Sequence, residues 1–308
     1  MTEQKYAVIT GASQGIGKAM AMELAARSYN LILVALPASG LEETAKTIEK
    51  RYRIETILFE TDLSDIANVH SFYKSVSALN LSIHVWVNNA GVGYQGELWD
   101  IDPTFFNKLL SLNMNSLATL SRLYIKDLKL KKNKGYLLNV GSLASFFPLP
   151  YKAAYAASKS FVLNFSRSLK EEVKGDGIHV SCICPGPVVT NEGVKERIGS
   201  TQKAKYFMTT PEKLAQTAIE GMFNKKGVIV PGFLNKILAF ISKVVPHFII
   251  LFVTRDLFAR NKEPKKFEEP LKENKVSNSI NLLKDNLERR PALRQQRMKL
   301  NTRNNYDK

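Results

Sequence analysis

Apolar residues in this chain form short unbroken runs, separated by longer stretches in which they recur every three or four positions. The runs are "KYAVIT" (5–10), "NLILVAL" (30–36), "IETILFETD" (54–62), "IHVWVNNAG" (83–91), "GYLLNVGS" (135–142), "IHVSCICPG" (178–186) and "GVIVPG" (227–232). They are rich in β-branched residues and bounded by Gly, Pro, Asn or Asp, which predicts seven strands. Helical spacing fills the gaps, as in "IGKAMAMELAARS" (16–28) and "GLEETAKTIEKRY" (40–52), and predicts further helices near 65–79, 104–131, 155–174 and 211–224. Strands apolar on both faces belong to a parallel sheet covered by helices on both sides. Right-handed crossovers then make it a doubly wound α/β sheet of the Rossmann type.

Beyond the seventh strand the pattern changes. "FLNKILAFISKVVPHFIILFVT" (233–254) is strongly apolar, yet Lys236, Lys243, Pro246 and His247 interrupt it. A membrane span needs about twenty apolar residues without such breaks, so a transmembrane helix is not expected. Two readings stay open. Either the stretch packs over a substrate cleft or a neighbouring subunit, or it lies in a membrane interface with its lysines among anionic headgroups. Residues 191–210 are polar, as a loop that orders on binding would be. From 261 the composition turns to charge and proline, with thirteen Lys/Arg against seven Asp/Glu over 262–308. This divides the chain into a domain over 1–260 and a basic, partly helical or disordered tail over 261–308.

Composition narrows the choice of class. The chain has 308 residues, 44% of them hydrophobic, enough for a substantial core. Its two cysteines, Cys182 and Cys184, sit two apart on one strand and face the same side, as reduced core residues of a cytoplasmic protein. No His or Cys cluster accompanies them, so no metal is expected. The first residues lack the charged and apolar regions of a secretory signal. The net charge of +16 favours polyanionic or phosphate-bearing partners. No nucleic-acid motif accompanies it, and nucleic acid is not an expected partner.

Candidate chemistry lies at two places. The first strand runs into "TGASQGIG", Thr10 to Gly17, and then a helix. Glycines there let the backbone approach a pyrophosphate, and the helix N-terminus offers free N–H groups and a favourable dipole. The spacing is G-x-x-x-G-x-G. The second place is "AYAASKSF", 154–161. Of eleven tyrosines, Tyr155 alone has a lysine, Lys159, four positions on. Residues four apart share one helix face, so the ammonium can lie beside the phenol and a bound ribose. A free phenol titrates near about 10, and a neighbouring ammonium together with a cationic nicotinamide ring is expected to lower it toward working pH.

Thr10–Gly17, Asp62-Leu63, "NNAG" (88–91), Asn113, Ser142 thirteen residues before Tyr155, the Tyr155/Lys159 pair and "PGPVVT" (185–190) stand in one order along the chain. In this ordered set the chain resembles the short-chain dehydrogenase/reductases of the single-domain branch, from about Lys5 to Gly232. The resemblance implies an NAD(P)-dependent oxidoreductase. Tyr155 would be the general acid/base, Ser142 would hold the substrate oxygen, Lys159 would bond the ribose, and Asn113 would hold a water linking Lys159 to solvent. Ser145 and Asn115 are the near neighbours that compete for the roles of Ser142 and Asn113. The cofactor would meet Gly11, Ser13, Gln14, Gly15, Ile16 and Gly17 at the first turn. Further contacts would come from Asp62, Leu63, Asn89, Ala90, Gly91, Tyr155, Lys159, Pro185, Gly186, Val188 and Thr190.

An acid at the end of the second strand selects NAD; here Ala35 and Leu36 stand instead, so NADP is expected ahead of NAD. The basic residue common in NADP-selective members is also missing, with Gln14 in one such place. The apolar stretch at 233–254 points to an apolar ketone or secondary alcohol, 3-oxoacyl or steroid-like, by analogy with the family. A homodimer or homotetramer paired through the helices near 104–131 and 155–174 is the assembly implied. The competing class is a dinucleotide-binding sensor or scaffold without turnover, which would have no use for Tyr155.

Overall fold

A computed structural model describes residues 4–188 and 209–259. Thr190, most of the 191–210 loop and the tail beyond 260 lie outside the described residues. The strands are β1 (Lys5–Thr10), β2 (Asn30–Ala35), β3 (Thr56–Glu60), β4 (Ser82–Asn88), β5 (Gly135–Val140), β6 (Ile178–Ile183) and β7 (Val228–Ile229). All pairings are parallel, in the order β3-β2-β1-β4-β5-β6-β7. The chain therefore winds outward one way from β1 and then the other way from β4. The crevice at the carboxyl ends of β1 and β4 is where such sheets bind ligands.

Alternation along each strand feeds two cores. Ala7 and Ile9 of β1 face helices α1 (Gly15–Ala26), α2 (Leu41–Tyr52) and α7 (Pro211–Phe223) through Met20, Leu24, Ile48 and Met222. Tyr6 and Val8 face α3 (Ile66–Ala78) and α5 (Leu117–Leu130) through Val69, Phe72, Leu120 and Tyr124. Trp86 of β4 is fully buried among Phe72, Tyr73 and Tyr124. Beyond it, α6 (Ala153–Glu172) packs on β6 through Val162 and Leu163 against Cys182 and Cys184, whose sulfurs lie 3.8 Å apart. The two thiols do share one face, as their spacing predicts.

Three elements depart from the sequence pattern. The helix expected over 104–131 is divided into α4 (Pro103–Leu110), a π-helical turn at Ser111–Ser116, and α5. Such bulges shift the helical register, and they favour functional positions. The seventh strand shortens to two residues, because only Cys182 and Ile183 pair with it. The apolar stretch after Gly232 becomes two helices, α8 (Phe233–Val244) and α9 (His247–Ala259), broken at Val245–Pro246. Among the described residues no helix is long and apolar enough to cross a membrane.

A chain of buried polar side chains crosses the sheet centre. Trp86 Nε1 donates to Asn88 Oδ1 at 2.9 Å, and Asn88 Nδ2 donates to Ser121 Oγ and Asn139 Oδ1, each at 2.9 Å. Asn139 Nδ2 donates in turn to Ser166 Oγ at 2.9 Å. The network ties β4, β5, α5 and α6 in one register, because each member costs free energy if it loses its partner. Asn88→Ala leaves the indole N–H and the Asn139 carbonyl unpaired. We expect the urea unfolding midpoint to fall by the equivalent of about 2–4 kcal/mol.

Candidate active site

The glycine turn is tighter than a strand-to-helix connection requires. A Cβ on Gly17 would lie 2.0 Å from the Gly11 carbonyl oxygen, so no larger residue fits. Gly11 and Gly15 take positive φ of 67° and 55°, which favours glycine. Asn89 closes the turn from β4: its Nδ2 donates to the carbonyls of Thr10 at 2.9 Å and Gly11 at 3.1 Å. Thr10 Oγ1 accepts from the backbone N–H groups of Asn89 and Ala90, both at 3.0 Å. The structure thus brings "TGASQGIG" and "NNAG" together at the switch point between β1 and β4.

The amino end of α1 stays open. Asp65, Asp102 and Thr210 cap α3, α4 and α7 with their side chains, whereas Gln14 gives α1 no side-chain cap. Its first N–H groups are therefore offered to an anion. Asp62 and Leu63 follow β3 at the same edge. The Asp62 carboxylate accepts from Ser64 N at 2.9 Å and Ser64 Oγ at 2.7 Å, with Lys108 Nζ 3.7 Å away.

The second half of the site hangs from α6. Lys159 is 6% exposed, and its ammonium donates to the Val140 carbonyl, at the end of β5, at 2.9 Å. A Cβ added at Gly91 would lie 3.4 Å from that nitrogen and 3.0 Å from Asn113 Oδ1. Asn113, buried in the π-helical turn, clamps Val92 in both directions: Oδ1 accepts from Val92 N and Nδ2 donates to Val92 O, each at 2.9 Å. Its amide also donates to Ser158 Oγ at 3.1 Å. Asn115, by contrast, faces solvent.

Ser142 caps the 3₁₀ turn after β5, and its hydroxyl is near enough to the Tyr155 phenol to draw its pKa down. Ser145 has a different task. Its Oγ accepts from Ser142 N at 3.2 Å and donates to the Lys159 carbonyl at 2.8 Å, fastening the turn to α6. Pro185 accepts from Leu143 N at 2.7 Å, so the loop after β6 is tied to the same turn. Gly186 abuts Asn235 of α8, and Val188 pairs with Thr209.

Burial moves both titratable groups toward their neutral forms. It pushes the Tyr155 phenol up, against the pull of the Ser142 hydroxyl. The ammonium by itself therefore does not lower the phenol; the expected fall rested on it together with a cationic nicotinamide ring. The Lys159 ammonium is turned to Val140, 6.0 Å from the Tyr155 ring centre, and desolvation outweighs its field. Burial also lowers Lys159 to about 8. At neutral pH the phenol keeps its proton, and the cation is held at a cost.

A nicotinamide dinucleotide fits what the residues leave unpaired. The uncapped α1 offers N–H groups for a pyrophosphate. Ser39, in the turn after β2, carries a buried hydroxyl without a partner. Asn235 Oδ1, beside Gly186, is buried and unpaired as well. Lys159 supplies a donor on the cleft floor.

Residues 5–200 match the family model described as short chain dehydrogenase. The chain belongs to the short-chain dehydrogenases. Among its relatives is a very-long-chain 3-oxoacyl-CoA reductase-B of Danio rerio, 34% identical over 70% of this chain and 68% of that protein. A very-long-chain 3-oxoacyl-CoA reductase of Mus musculus is 31% identical over the same shares. Solved structures share the fold. A 7beta-hydroxysteroid dehydrogenase superposes with a TM-score of 0.74 at 20% identity, covering 82% of this chain and 96% of that one. A short-chain dehydrogenase from Sphingobium yanoikuyae in complex with NADPH gives 0.67 at 23%, covering 86% and 99%. As a short-chain dehydrogenase the protein is an oxidoreductase acting on a ketone or alcohol.

Sequence reading of this short-chain dehydrogenase missed the residues that wall a cavity beside α6. A cavity of about 460 Å³ lies against the start of α6, lined by Tyr94, Trp99, Tyr151, Leu251, Phe252 and Arg255 among others. These residues come from the β4–α4 and β5–α6 connections and from α9, and no periodicity marks loop residues that meet only in space. Gln95 Nε2 donates to the Phe258 carbonyl at 3.2 Å, and the Lys152 ammonium lies 5.1 Å over the Phe258 ring, so α9 is anchored across the cavity.

The depressed Lys159 yields a prediction with a sign. Its charged form costs stability while both folded and unfolded chains are protonated, below about 8. That cost is relieved as pH rises to the unfolded value near 10.5. Lys159→Met should therefore stabilise the fold at pH 7, by up to about 3 kcal/mol less the loss of the Val140 bond. The gain over the parent should shrink as pH rises from about 8 to about 10.5. Urea melts of both proteins at the two ends of that range check it.

Proposed function

We propose that this short-chain dehydrogenase is an NADP-dependent reductase of apolar 3-oxoacyl thioesters. The observation that carries the reading is the Tyr155 phenol, set beside Ser142 and kept protonated by burial, on the α6 segment that also walls the apolar cavity. A phenol that holds its proton at neutral pH is suited to give it to a carbonyl oxygen, which is the reductive direction. The bound cofactor would supply the hydride. Ser142 would hold the carbonyl oxygen by its hydroxyl, and Tyr155 would hand that oxygen a proton as negative charge gathers on it. Lys159 would bond the ribose, and Asn113 would keep Val92 and Gly91 clear of the ribose space.

NADP is favoured by the turn after β2. Ala35 and Leu36 bring no carboxylate to repel a 2′-phosphate, and the unpaired Ser39 hydroxyl and Ser13 are donors of the right kind. The thioester class is favoured by two observations. The cavity is apolar with Arg255 among its lining, which suits an acyl chain on an anionic carrier. The relatives named above reduce 3-oxoacyl-CoA according to their names. A reducing, cytoplasmic compartment is in keeping with the two unpaired thiols. For assembly, the stacked Phe161 and Phe165 on α6, with Phe161 open to solvent, supply an apolar contact of the kind a homodimer uses.

Tyr155→Phe decides between reductase and binding protein. Turnover of a medium-chain 3-oxoacyl thioester should fall by about a thousandfold or more. NADPH affinity, followed by nucleotide fluorescence, should stay within about threefold. Equal turnover in the variant would remove Tyr155 from the chemistry. In the parent, kcat/KM for reduction should be flat through neutral pH and fall above about 8, as first the Lys159 ammonium and then the phenol loses its proton. The same thioester should be reduced with NADPH at least about tenfold more efficiently than with NADH, and Ser39→Ala should narrow that ratio. A preference for NADH would overturn the cofactor assignment.

A further inference from the structure

Helices α8 and α9 carry apolar side chains on the side where a surface helix is ordinarily polar. On α8, Asn235 and Ala239 face inward, while Phe233, Ile237, Phe240 and Val244 form an exposed stripe at helical spacing. Phe240 is 64% exposed. Lys236 and Lys243, seven positions apart, run along that stripe, and α8 holds no acidic residue. On α9, Ile250 is buried and Phe258 is tied to the body of the protein. Phe248, Phe252, Val253 and Leu257 point outward, with Phe248 71% and Phe252 82% exposed. Across the cavity mouth from Phe252, Trp99 is 79% exposed beside Leu98. Eleven of the seventeen large apolar residues exposed among the described residues lie in Phe233–Leu257. A patch of this extent marks an interaction surface.

We propose that α8, α9 and the Leu98–Trp99 loop dock this protein on the surface of an anionic lipid bilayer, with the mouth of the substrate cavity facing the lipid. Charge selects this occupant over a second copy of the chain. A two-fold contact sets each patch against itself, and would gather four copies of the Lys236/Lys243 charge without acids on α8 to offset them. Anionic headgroups offset them directly, and the chain's +16 adds long-range attraction. The positive charge is local to α8: Arg255 and its neighbour Asp256 cancel on α9, and Glu97 and Asp100 put the acids of the face in the Leu98–Trp99 loop. The break at Val245–Pro246 and the lengths of α8 and α9 suit helices lying in the interface rather than crossing it. Docking stands apart from the reductase reading. Only the consequence that an apolar substrate enters from lipid rests on it.

The chain has two tryptophans, and they make the test specific. Trp86 is fully buried and Trp99 is exposed. The full-length protein is mixed with phosphatidylcholine vesicles, with and without phosphatidylglycerol, some carrying brominated acyl chains. Binding to the anionic vesicles, with blue-shifted and bromine-quenched Trp99 emission that Trp99→Phe abolishes, is the expected result. Phe240→Ser/Phe248→Ser and Lys236→Glu/Lys243→Glu should each weaken vesicle binding by about tenfold or more. Their thermal melts, and turnover of a short water-soluble ketone, should match the parent. No binding to anionic vesicles, or binding that ignores both double variants, overturns the proposal. So does a dimer by light scattering that Phe240→Ser/Phe248→Ser dissociates in the absence of lipid binding. Loss of turnover in Tyr155→Phe with vesicle binding intact would test only the reductase reading.

Discussion

A buried ammonium is the constraint around which the rest of the site is arranged. Lys159 sits on the floor of the crevice with one protein partner fixed by geometry, the carbonyl of Val140. Taking a cation out of water costs several kcal/mol, and a single hydrogen bond returns only part of it. The cost is borne because α6 cannot turn the side chain elsewhere. Ser145 bonds the Lys159 carbonyl, Ser160 bonds the Ser145 carbonyl at 2.7 Å, and both fix α6 to the turn that carries Ser142. The phenol, the serine and the ammonium are thus held as one body. A shift of α6 that relieved Lys159 would also part Tyr155 from Ser142.

The opposite wall is held as firmly by different means. Asn113 locks Val92 from both sides, and the π-helical turn aims it there. Without the extra residue of that turn, the positions after 113 would present a different face to the sheet, and Ser116 and Leu117 could not both pack inward as they do. Asn89 does the same for the glycine turn. Each half of the crevice is therefore set by an amide side chain reading backbone groups, a type of contact that tolerates little displacement.

How much of this could be read from the chain alone depends on whether the signal was local. Strand runs such as "NLILVA" and the turn "TGASQGIG" carry their own geometry, and six of the seven strands and the glycine turn stand where the pattern put them. The ordered motifs named Asn113, Ser142, Tyr155 and Lys159, and the fold brings these four side chains to neighbouring positions. The choice between Ser142 and Ser145 was not local: both follow β5, and only the burial of Ser145 against Lys159 separates them. The split of 104–131 was invisible because a π-helical turn keeps apolar residues at nearly helical spacing. The direction of the Tyr155 shift in the protein alone was out of reach for a further reason. Spacing along a helix places Lys159 near the phenol, but where the ammonium points depends on the Val140 carbonyl, which belongs to another strand.

Burial acts on Tyr155 and Lys159 in opposite senses, and this reverses their usual relation. In water the two groups titrate within about half a unit of each other, the lysine slightly higher. Here the phenol is raised and the lysine falls to about 8, so the ammonium is the stronger acid of the pair. A phenolate left behind by proton donation can therefore be reprotonated downhill from Lys159. Nζ lies 6.0 Å from the ring centre, and a hydroxyl or water between the two groups would carry the proton. Gly91, whose missing Cβ leaves space beside both Lys159 and Asn113, opens such a route toward the crevice. In the proposed reductase the lysine would do more than bond a ribose: the same desolvation that makes it expensive to bury would let it return a proton to the phenol after each turnover.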